Sequence, residues 1–227
     1  MPDLPCIVDG EAEDITFGSD MEVMAEDTSP ALGMNTSATG IVVQWVNSSD
    51  IVCQPSNGYL EFDTSGVTST PESATLKLNV SSLLNSGPTG AYVMRAYFAS
   101  AGSLSATDQA SYTRDSSGAT PDINDMVKYS SEITSFSTGE LEISLNATAL
   151  SDMVSRDEFQ IAIVSDSLAD QHSTPNDGVT RNFTFSSQDH GTSGNRPILS
   201  YELPSVPIPN LKVYGSIEMN GGKIIIK

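Results

Sequence analysis

The sequence predicts an all-β protein, an antiparallel β-sandwich of jelly-roll-like type, and three observations carry that prediction. Ser and Thr make up 53 of the 227 residues while only 17% of residues are charged, a polarity unlike that of most disordered chains. β-branched and aromatic residues, which suit a pleated and half-buried surface, are spread along the chain. Seventeen Gly and twelve Pro divide it into short segments without a long helical pattern. Such segments are typical of sandwiches and jelly rolls.

The first half of the chain contains the clearest alternating pattern. In residues 74–80, Leu76, Leu78 and Val80 alternate with polar residues, so this segment is predicted as a strand with one face in the core. Residues 41–46, which include Trp45, form a second strand ended by a polar turn. The remaining predicted strands of this half are 51–53, 59–63 and 91–99, after short alternating pieces at 15–17 and 21–24.

The second half begins with a long polar stretch. Residues 100–122 are mostly Ser, Thr, Asp and Gly, and we expect a surface loop there with a short helix at 104–111. A helical turn is predicted at 146–154. The predicted strands are 140–145, 159–164, 183–185 and 197–203, of which 159–164 is the most apolar and should be central.

The two ends of the chain differ from the middle. Residues 1–14 are acidic and hold two prolines, so we expect an N-terminal arm. Residues 204–210 contain three prolines and should be extended. The predicted organisation is therefore an acidic arm over 1–14, a β-sandwich domain over 15–203, and a proline linker with a β-hairpin tail over 204–227.

The tail carries a hairpin signal. Asn220, Gly221 and Gly222 separate two β-rich runs, which is typical of a tight hairpin turn. A two-stranded hairpin is only marginally stable alone, so it should pack either on its own domain or on another chain. The tail resembles the strand–turn–strand tails of phage head and tail accessory proteins. The residues expected to contact a partner are Lys212, Tyr214, Ile217, Met219, Lys223, Ile224 and Ile226.

Charge excludes some partners and is unevenly distributed. Acids outnumber bases 29 to 10, for a formal net charge of −19, which argues against nucleic-acid binding through phosphate neutralisation and against docking on an anionic membrane. Residues 1–76 contain thirteen acids and no Lys or Arg. The tail from 205 onward has three Lys against Glu218, so it carries +2 and residues 1–204 carry −21. We expect the body to face solvent and the tail to approach an acidic neighbour.

Localisation follows from what the sequence lacks. No apolar run approaches the length of a membrane span, and the first residues do not have the pattern of a secretory signal. We expect a protein made in a host cytoplasm and incorporated into a virion, the alternative being an extracellular or cell-surface location. Cys6 and Cys53 have no metal-type spacing, and either a disulfide or two free thiols fits.

Several strands together resemble a known family. The segments are Tyr-Leu-Glu-Phe-Asp at 59–63, Ala-Thr-Leu-Lys-Leu at 74–78, Phe-Thr-Phe-Ser-Ser at 183–187 and Gly-Asn-Arg-Pro-Ile-Leu-Ser-Tyr at 194–201. In order and spacing they resemble the DNRLRE-type β-sandwich, which is related to carbohydrate-binding modules. The resemblance covers roughly 55–203 and implies a sandwich and a glycan-binding role. The chain departs from the family in having its one Trp upstream and Gln188-Asp189 where the family has Glu.

Catalytic motifs are missing, so we expect no enzyme. The chain has no G-x-S-x-G, H-E-x-x-H, C-x-x-C or glycine-rich phosphate loop. His172 and His190 stand near Asp170 and Asp189, but no nucleophile accompanies them at a recognisable spacing, and we interpret them as surface histidines. Arg196, at the start of the last predicted strand, should hold a carboxylate or loop carbonyls with its planar guanidinium.

Two binding possibilities remain for the loops. No cofactor is expected, but calcium is the one candidate, because oxygen ligands lie close together in two sets. These sets are Asp122, Asn124 and Asp125, and Asp166, Asp170 and Asp177. Tyr112, the one aromatic of the 100–122 loop, is the candidate for contact with a glycan.

Two functions are consistent with these observations. The first is a virion structural protein, a head-decoration, fibre or tail-accessory subunit that binds copies of itself and a larger capsid or tail assembly by non-catalytic adhesion. The second is a carbohydrate-binding module or adhesin for a cell-surface polysaccharide. Assembly that depends on the tail would favour the first, and glycan binding by a monomer would favour the second.

Overall fold

The computed structural model describes most of the chain and confirms the all-β class. The described residues are 2–13, 16–17, 33–36, 40–46, 52–53, 56–85, 90–105, 108, 111–114, 122, 125–170, 180–205, 217–220 and 223–226. Within them, no helix is both long enough and apolar enough to cross a membrane. The predicted strand piece at 21–24 lies outside the described residues.

The described elements are mainly short strands. The strands are β1 Asp3–Glu13, β2 Thr16–Phe17, β3 Gly33–Asn35, β4 Gly40–Val46, β5 Val52–Cys53, β6 Ser56–Asp63, β7 Ser73–Leu84, β8 Ala91–Arg95, β9 Gly139–Ser144, β10 Glu158–Ser165, β11 Thr180–Ser186, β12 Ile198–Glu202, β13 Ile217–Asn220 and β14 Lys223–Ile226. The helices are α1 Ala147–Ser155 and α2 Asp166–Ala169, with 3₁₀ turns at Ser111–Thr113 and Ser193–Asn195.

The main sheet closes on itself, which the predicted sandwich did not anticipate. Strands β1, β12, β7, β11, β4 and β6 follow one another around a ring in which each neighbouring pair is antiparallel. The ring is a six-stranded barrel rather than a clear two-sheet sandwich. Its closure between β4 and β6 is a single residue pair, Gln44 opposite Ser56. Strands β10 and β8 extend from β6, β9 extends from β7, and β3 extends from β1.

The predicted N-terminal arm over 1–14 is wrong, because most of it is a barrel strand. β1 pairs with β12 from Asp3 to Pro5 and with β6 from Cys6 to Glu13, with an irregularity in register between Cys6 and Val8. The main sheet therefore includes Asp3–Glu13 and not only residues from 15 onward. Its acidic residues are tolerated in the sheet because backbone amides donate to them: Val42 N–H donates to Glu11 Oε2 at 2.5 Å, and Gln188 N–H donates to Asp9.

The barrel encloses the larger of two hydrophobic cores. Even-numbered β7 residues point inward as predicted, with Leu76, Leu78 and Val80 all buried. They pack with Phe62 of β6 and Phe159 of β10, both fully buried, and with the other apolar residues of the barrel interior. The prediction that 159–164 is a buried, central strand is confirmed: β10 lies between β6 and β8, and its residues from 159 onward are buried.

A second core covers the opposite face of β6, β10 and β8. Tyr59, Tyr92, Met94 and Val164 lie there, together with Phe98 and other residues of the segment that follows β8. Alternation explains the arrangement, since successive residues of a strand point to opposite faces. Both faces of this part of the sheet are therefore buried.

Helix α1 replaces the single helical turn predicted at 146–154. Asn146 caps it: its side-chain oxygen accepts from the backbone N–H groups of Thr148 and Ala149, both at 3.1 Å. Leu150 and Met153 of α1 are buried in the barrel core. The helix contributes these side chains to the larger core and leads directly into β10.

Candidate functional site

The C-terminal hairpin is the first candidate site, and its predicted pairing is present. β13 and β14 are antiparallel, with Ile217 opposite Ile226 and Met219 opposite Ile224. Alternate positions of a strand share a face, so these four apolar positions lie on one face of the hairpin. Lys223 pairs with Asn220 and occupies the other face. Of the seven residues predicted to contact a partner, Lys212 and Tyr214 lie outside the described residues.

The hairpin forms a sheet of its own. In the part of the chain that the structure describes, β13 and β14 are hydrogen-bonded to each other and to no strand of the main sheet. Both strands therefore have a backbone edge without a strand partner among those residues. Such edges are where another strand can be added.

Strand β9 has an outward edge that the chain covers only at its end, where Ser130 bridges Leu145, and sequence reasoning did not identify this edge. One edge of β9 pairs with β7 from Ser144 to Gly139. Leu145 N–H donates to Ala74 O at 2.9 Å, which fixes the alternation: odd-numbered backbone groups of β9 point to β7 and even-numbered ones point away. The outward groups belong to Glu140, Glu142 and Ser144, all exposed residues.

The edge of β8, by contrast, is covered by the chain itself. Arg95 N–H donates to Val127 O at 2.8 Å, Tyr129 N–H to Val93 O at 2.7 Å, and Ile133 N–H to Ala91 O at 2.8 Å. The segment from 127 to 133 thus runs along β8 and satisfies its outward backbone groups. The same segment reaches the end of β9: Ser130 forms an antiparallel bridge with Leu145, and Asn146 N–H donates to Tyr129 O at 2.8 Å, on the side away from β7.

The expected surface position of Tyr112 is wrong. Tyr112 is only 2% exposed and packs in the second core with Tyr59 and Phe98. The polar loop around it folds inward because buried Asp108 accepts backbone hydrogen bonds from Ala99 at 2.6 Å and Ser105 at 2.8 Å. A buried ring cannot stack on a sugar, so the structure removes Tyr112 as a glycan contact.

An acidic cavity lies between the start of β10 and the turn after β8. It has a volume of about 540 Å³, and four carboxylate residues line it, together with the exposed side chain of Ile7. Glu61 is the buried member: it accepts from Gln160 Nε2 at 2.7 Å and from Gly102 N–H at 2.8 Å. The other carboxylates are Asp63, Asp157 and Glu158.

The residues proposed for calcium do not come together as a cation site in the described part of the chain. No group of three or more His, Cys, Asp or Glu side chains is placed there to hold a metal ion. Asp170 is instead engaged by Lys128 Nζ and by the Tyr92 hydroxyl, which donates at 2.8 Å. Lys128 Nζ also lies 3.9 Å from the centre of the Tyr92 ring, so this cluster ties the segment at 128 to α2. Asn124 and Asp177 lie outside the described residues.

Around His190 the structure shows a self-contained turn. His190 Nδ1 accepts from Thr192 N–H at 3.1 Å, and Arg196 Nε donates to the His190 carbonyl at 3.0 Å. The prediction that Arg196 holds a loop carbonyl is confirmed. His172 lies outside the described residues.

Burial perturbs the pKa values of two ionisable groups in β1, Cys6 and Asp9. The pKa of Asp9 is raised to about 6, first by burial and then by the charge of Asp189, although the Gln188 N–H bond opposes the shift. The pKa of the Cys6 thiol is raised well above its usual value, first by burial and then by the Asp9 carboxylate. Cys6 is a free, buried thiol whose Sγ donates to Val8 O at 3.0 Å, while the Cys53 side chain is outside what the structure describes.

No protein-family model matches this chain, and no curated protein matches it in sequence. The resemblance to the DNRLRE-type sandwich therefore stays a proposal.

Proposed function

We propose that the chain is a structural protein of a virus particle, a head-decoration, fibre or tail-accessory subunit that works by non-catalytic adhesion to copies of itself and to a capsid or tail. The observation that carries the proposal is the C-terminal hairpin. Its strands pair with each other and, among the described residues, with no strand of the main sheet. A two-stranded hairpin is at best marginally stable in water, so it needs a surface to pack against.

The composition of the hairpin supports adhesion to another subunit. Four apolar positions share one face, and the tail that contains them carries +2 while the rest of the chain carries −21. The body offers little apolar surface of its own: in the part of the chain that the structure describes, the large exposed apolar side chains are Ile7 in β1, Leu84 in β7 and Leu203 just after β12. Adhesion through the tail leaves the acidic body facing solvent, where like charge keeps particles apart.

The proposal is tested by the self-association of the full-length chain. Light scattering coupled to gel filtration should show that the purified chain is an oligomer. In a density gradient of a lysate from its natural host, the chain should be found in the same fractions as virus particles. Ile224→Asp with Ile226→Asp should shift the protein to monomer, since both positions lie on the apolar face. Ile225→Asp is the matched control on the opposite face. A monomeric wild-type chain, or equal effects of the two variants, would contradict the proposal.

The alternative function is a carbohydrate-binding module or adhesin on a jelly-roll-like sandwich, which rests on the family resemblance. Burial of Tyr112 takes away the aromatic contact that this alternative predicted. A glycan array probed with the purified chain tests it directly. Specific binding of a polysaccharide by a monomer would favour the alternative over the adhesive role.

A further inference from the structure

We propose that Asp9 and the turn at 187–190 form a clasp that is tight in acid and loosens as the pH rises toward neutral. The clasp fastens the connection between β11 and β12 to strand β1. Both parts of the clasp belong to one chain, so it does not depend on the adhesive role proposed above.

Asp9 is a buried carboxylate without a cation beside it. The residue is only 2% exposed, and its carboxylate accepts a hydrogen bond from Gln188 N–H. The ion pairs formed among the described residues do not include Asp9; they are Lys77–Glu142, Arg114–Asp108 and Lys128–Asp170. Burying a charge is costly when no counter-ion accompanies it. The protonated form of Asp9 therefore fits this position at a lower cost than the ionised form.

The turn offers one of its backbone amides to Asp9. Within the turn, Asp189 N–H donates to Ser187 Oγ and His190 N–H donates to Ser187 O, both at 3.2 Å. Gln188 N–H finds its acceptor in β1 instead. The loop that follows is exposed from 191 to 194, so this hydrogen bond holds the first part of a surface connection in place.

The surroundings of Asp9 favour its neutral form. The titratable and charged groups of the elements around it are Asp189, His190 and Arg196 of the turn and the loop, Cys6 and Glu11 of β1, and Tyr59 and Glu61 of β6. Burial raises the pKa of Asp9 to about 6; the Gln188 N–H bond opposes the shift and the charge of Asp189 adds to it. Arg196 Nε donates to the His190 carbonyl at 3.0 Å.

Proton linkage gives the direction and the size of the effect. When the turn is released, Asp9 meets water and should titrate near its ordinary value of 3.8. The closed clasp therefore binds the proton more tightly than the open one. This advantage is fully present below the ordinary pKa and is lost as the pH rises through about 6. The ratio of closed to open clasp should fall about 50-fold between about pH 4 and pH 7.

His190 would give a pH dependence of the opposite sign. Histidine side chains can change charge near neutral pH, and His190 belongs to the turn. Its Nδ1 accepts from Thr192 N–H at 3.1 Å, and a protonated imidazole has no acceptor nitrogen. Protonation of His190 would therefore loosen the turn in acid, whereas protonation of Asp9 tightens it. The sign of the pH dependence separates the two groups.

Amide exchange of the full-length chain, followed by NMR between pH 4 and pH 7, tests the clasp. The protection factor of Gln188 N–H, corrected for the intrinsic exchange rate at each pH, should fall about 50-fold over this range. Ile133 N–H, which donates to Ala91 O at 2.8 Å, is the reference amide, and its protection should change much less. Asp9→Asn should abolish the fall at Gln188, because Asn keeps an acceptor oxygen without the charge. Asp189→Asn is the matched control in the turn and should keep most of the fall, since burial is the larger cause.

Three exchange results would overturn the inference. They are a protection factor at Gln188 that stays flat or rises with pH, a fall that persists in Asp9→Asn, and an equal fall at Ile133. The last would mean that the whole chain loses stability rather than the clasp. The carboxyl resonance of Asp9 in the wild-type chain gives a second measurement that needs no variant. Its titration midpoint should lie near pH 6, and a midpoint near 3.8 would contradict the clasp.

Discussion

Replacing Asp9 by Asn should make the protein more stable near neutral pH and remove one component of its pH dependence. Asp9 is 2% exposed, and its pKa is raised from 3.8 to about 6. Since burial disfavours the charged form, the folded state binds this proton more tightly than the unfolded state does. The contribution of Asp9 to stability is therefore fully present below the unfolded pKa and is lost as the pH rises through the folded pKa.

The size of the effect follows from the shift. A difference of roughly two pKa units corresponds to about 3 kcal/mol between the two protonation states. As the pH is raised from about 4 to about 7, the wild type should lose about 2–3 kcal/mol of unfolding free energy relative to Asp9→Asn. Asn retains an oxygen that can accept from Gln188 N–H, so the hydrogen bond that anchors β1 beside the turn after β11 is kept.

Urea denaturation followed by far-ultraviolet circular dichroism, at several pH values in that range, measures this difference. Asp63→Asn is the matched control, because the Ser65 hydroxyl and amide lower the pKa of that exposed carboxyl. Asp63→Asn should have the opposite effect: relative to wild type, this variant should be less stable near neutral pH than at acidic pH. A flat difference between wild type and Asp9→Asn across the range would refute the argument that burial raises the pKa of Asp9.

Two further predictions concern packing. Gly58→Ala should destabilise the fold by about 1–3 kcal/mol, because a Cβ there would lie 3.0 Å from Ile41 and from the Phe185 ring. Gly66→Ala is the control: its Cβ meets open space, so its unfolding free energy should be close to that of the wild type. Thermal unfolding of both variants measures the difference. Tyr112→Ala should cost about 3–5 kcal/mol in unfolding free energy and leave glycan-array signals unchanged, and a stable variant that lost a glycan signal would contradict its assignment to the core.

The sequence revealed the strands more readily than their closure. The alternation of Leu76, Leu78 and Val80 is a local signal, and each of these residues is buried as expected. Closure of the barrel depends instead on one pair between β4 and β6, Gln44 opposite Ser56. Nothing in the local pattern of either strand distinguishes this pairing from an open sandwich, because both arrangements bury alternate residues.

The two clearest errors have one physical cause, which is that polar residues were assigned to solvent. Asp9 lies in a barrel strand because Gln188 N–H donates to its carboxylate, and Tyr112 is buried because Asp108 satisfies the backbone of the surrounding loop. In both cases the compensating group lies elsewhere in the chain: the donor to Asp9 is 179 residues away, and the Asp108 carboxylate that accepts from the Ala99 amide is 9 residues away from it. Composition records that a segment is polar but not whether its polar groups find partners inside the fold.

The candidate site shows the same division between local and non-local information. The hairpin could be predicted because Asn220-Gly221-Gly222 is a local turn signal, and its pairing is present. The strand at 140–145 could be predicted too, but its edge could not, since which edges a sheet leaves open depends on all the other pairings. A net charge of −19 opposes contact between any two copies, so association requires an interface where the local charges differ in sign.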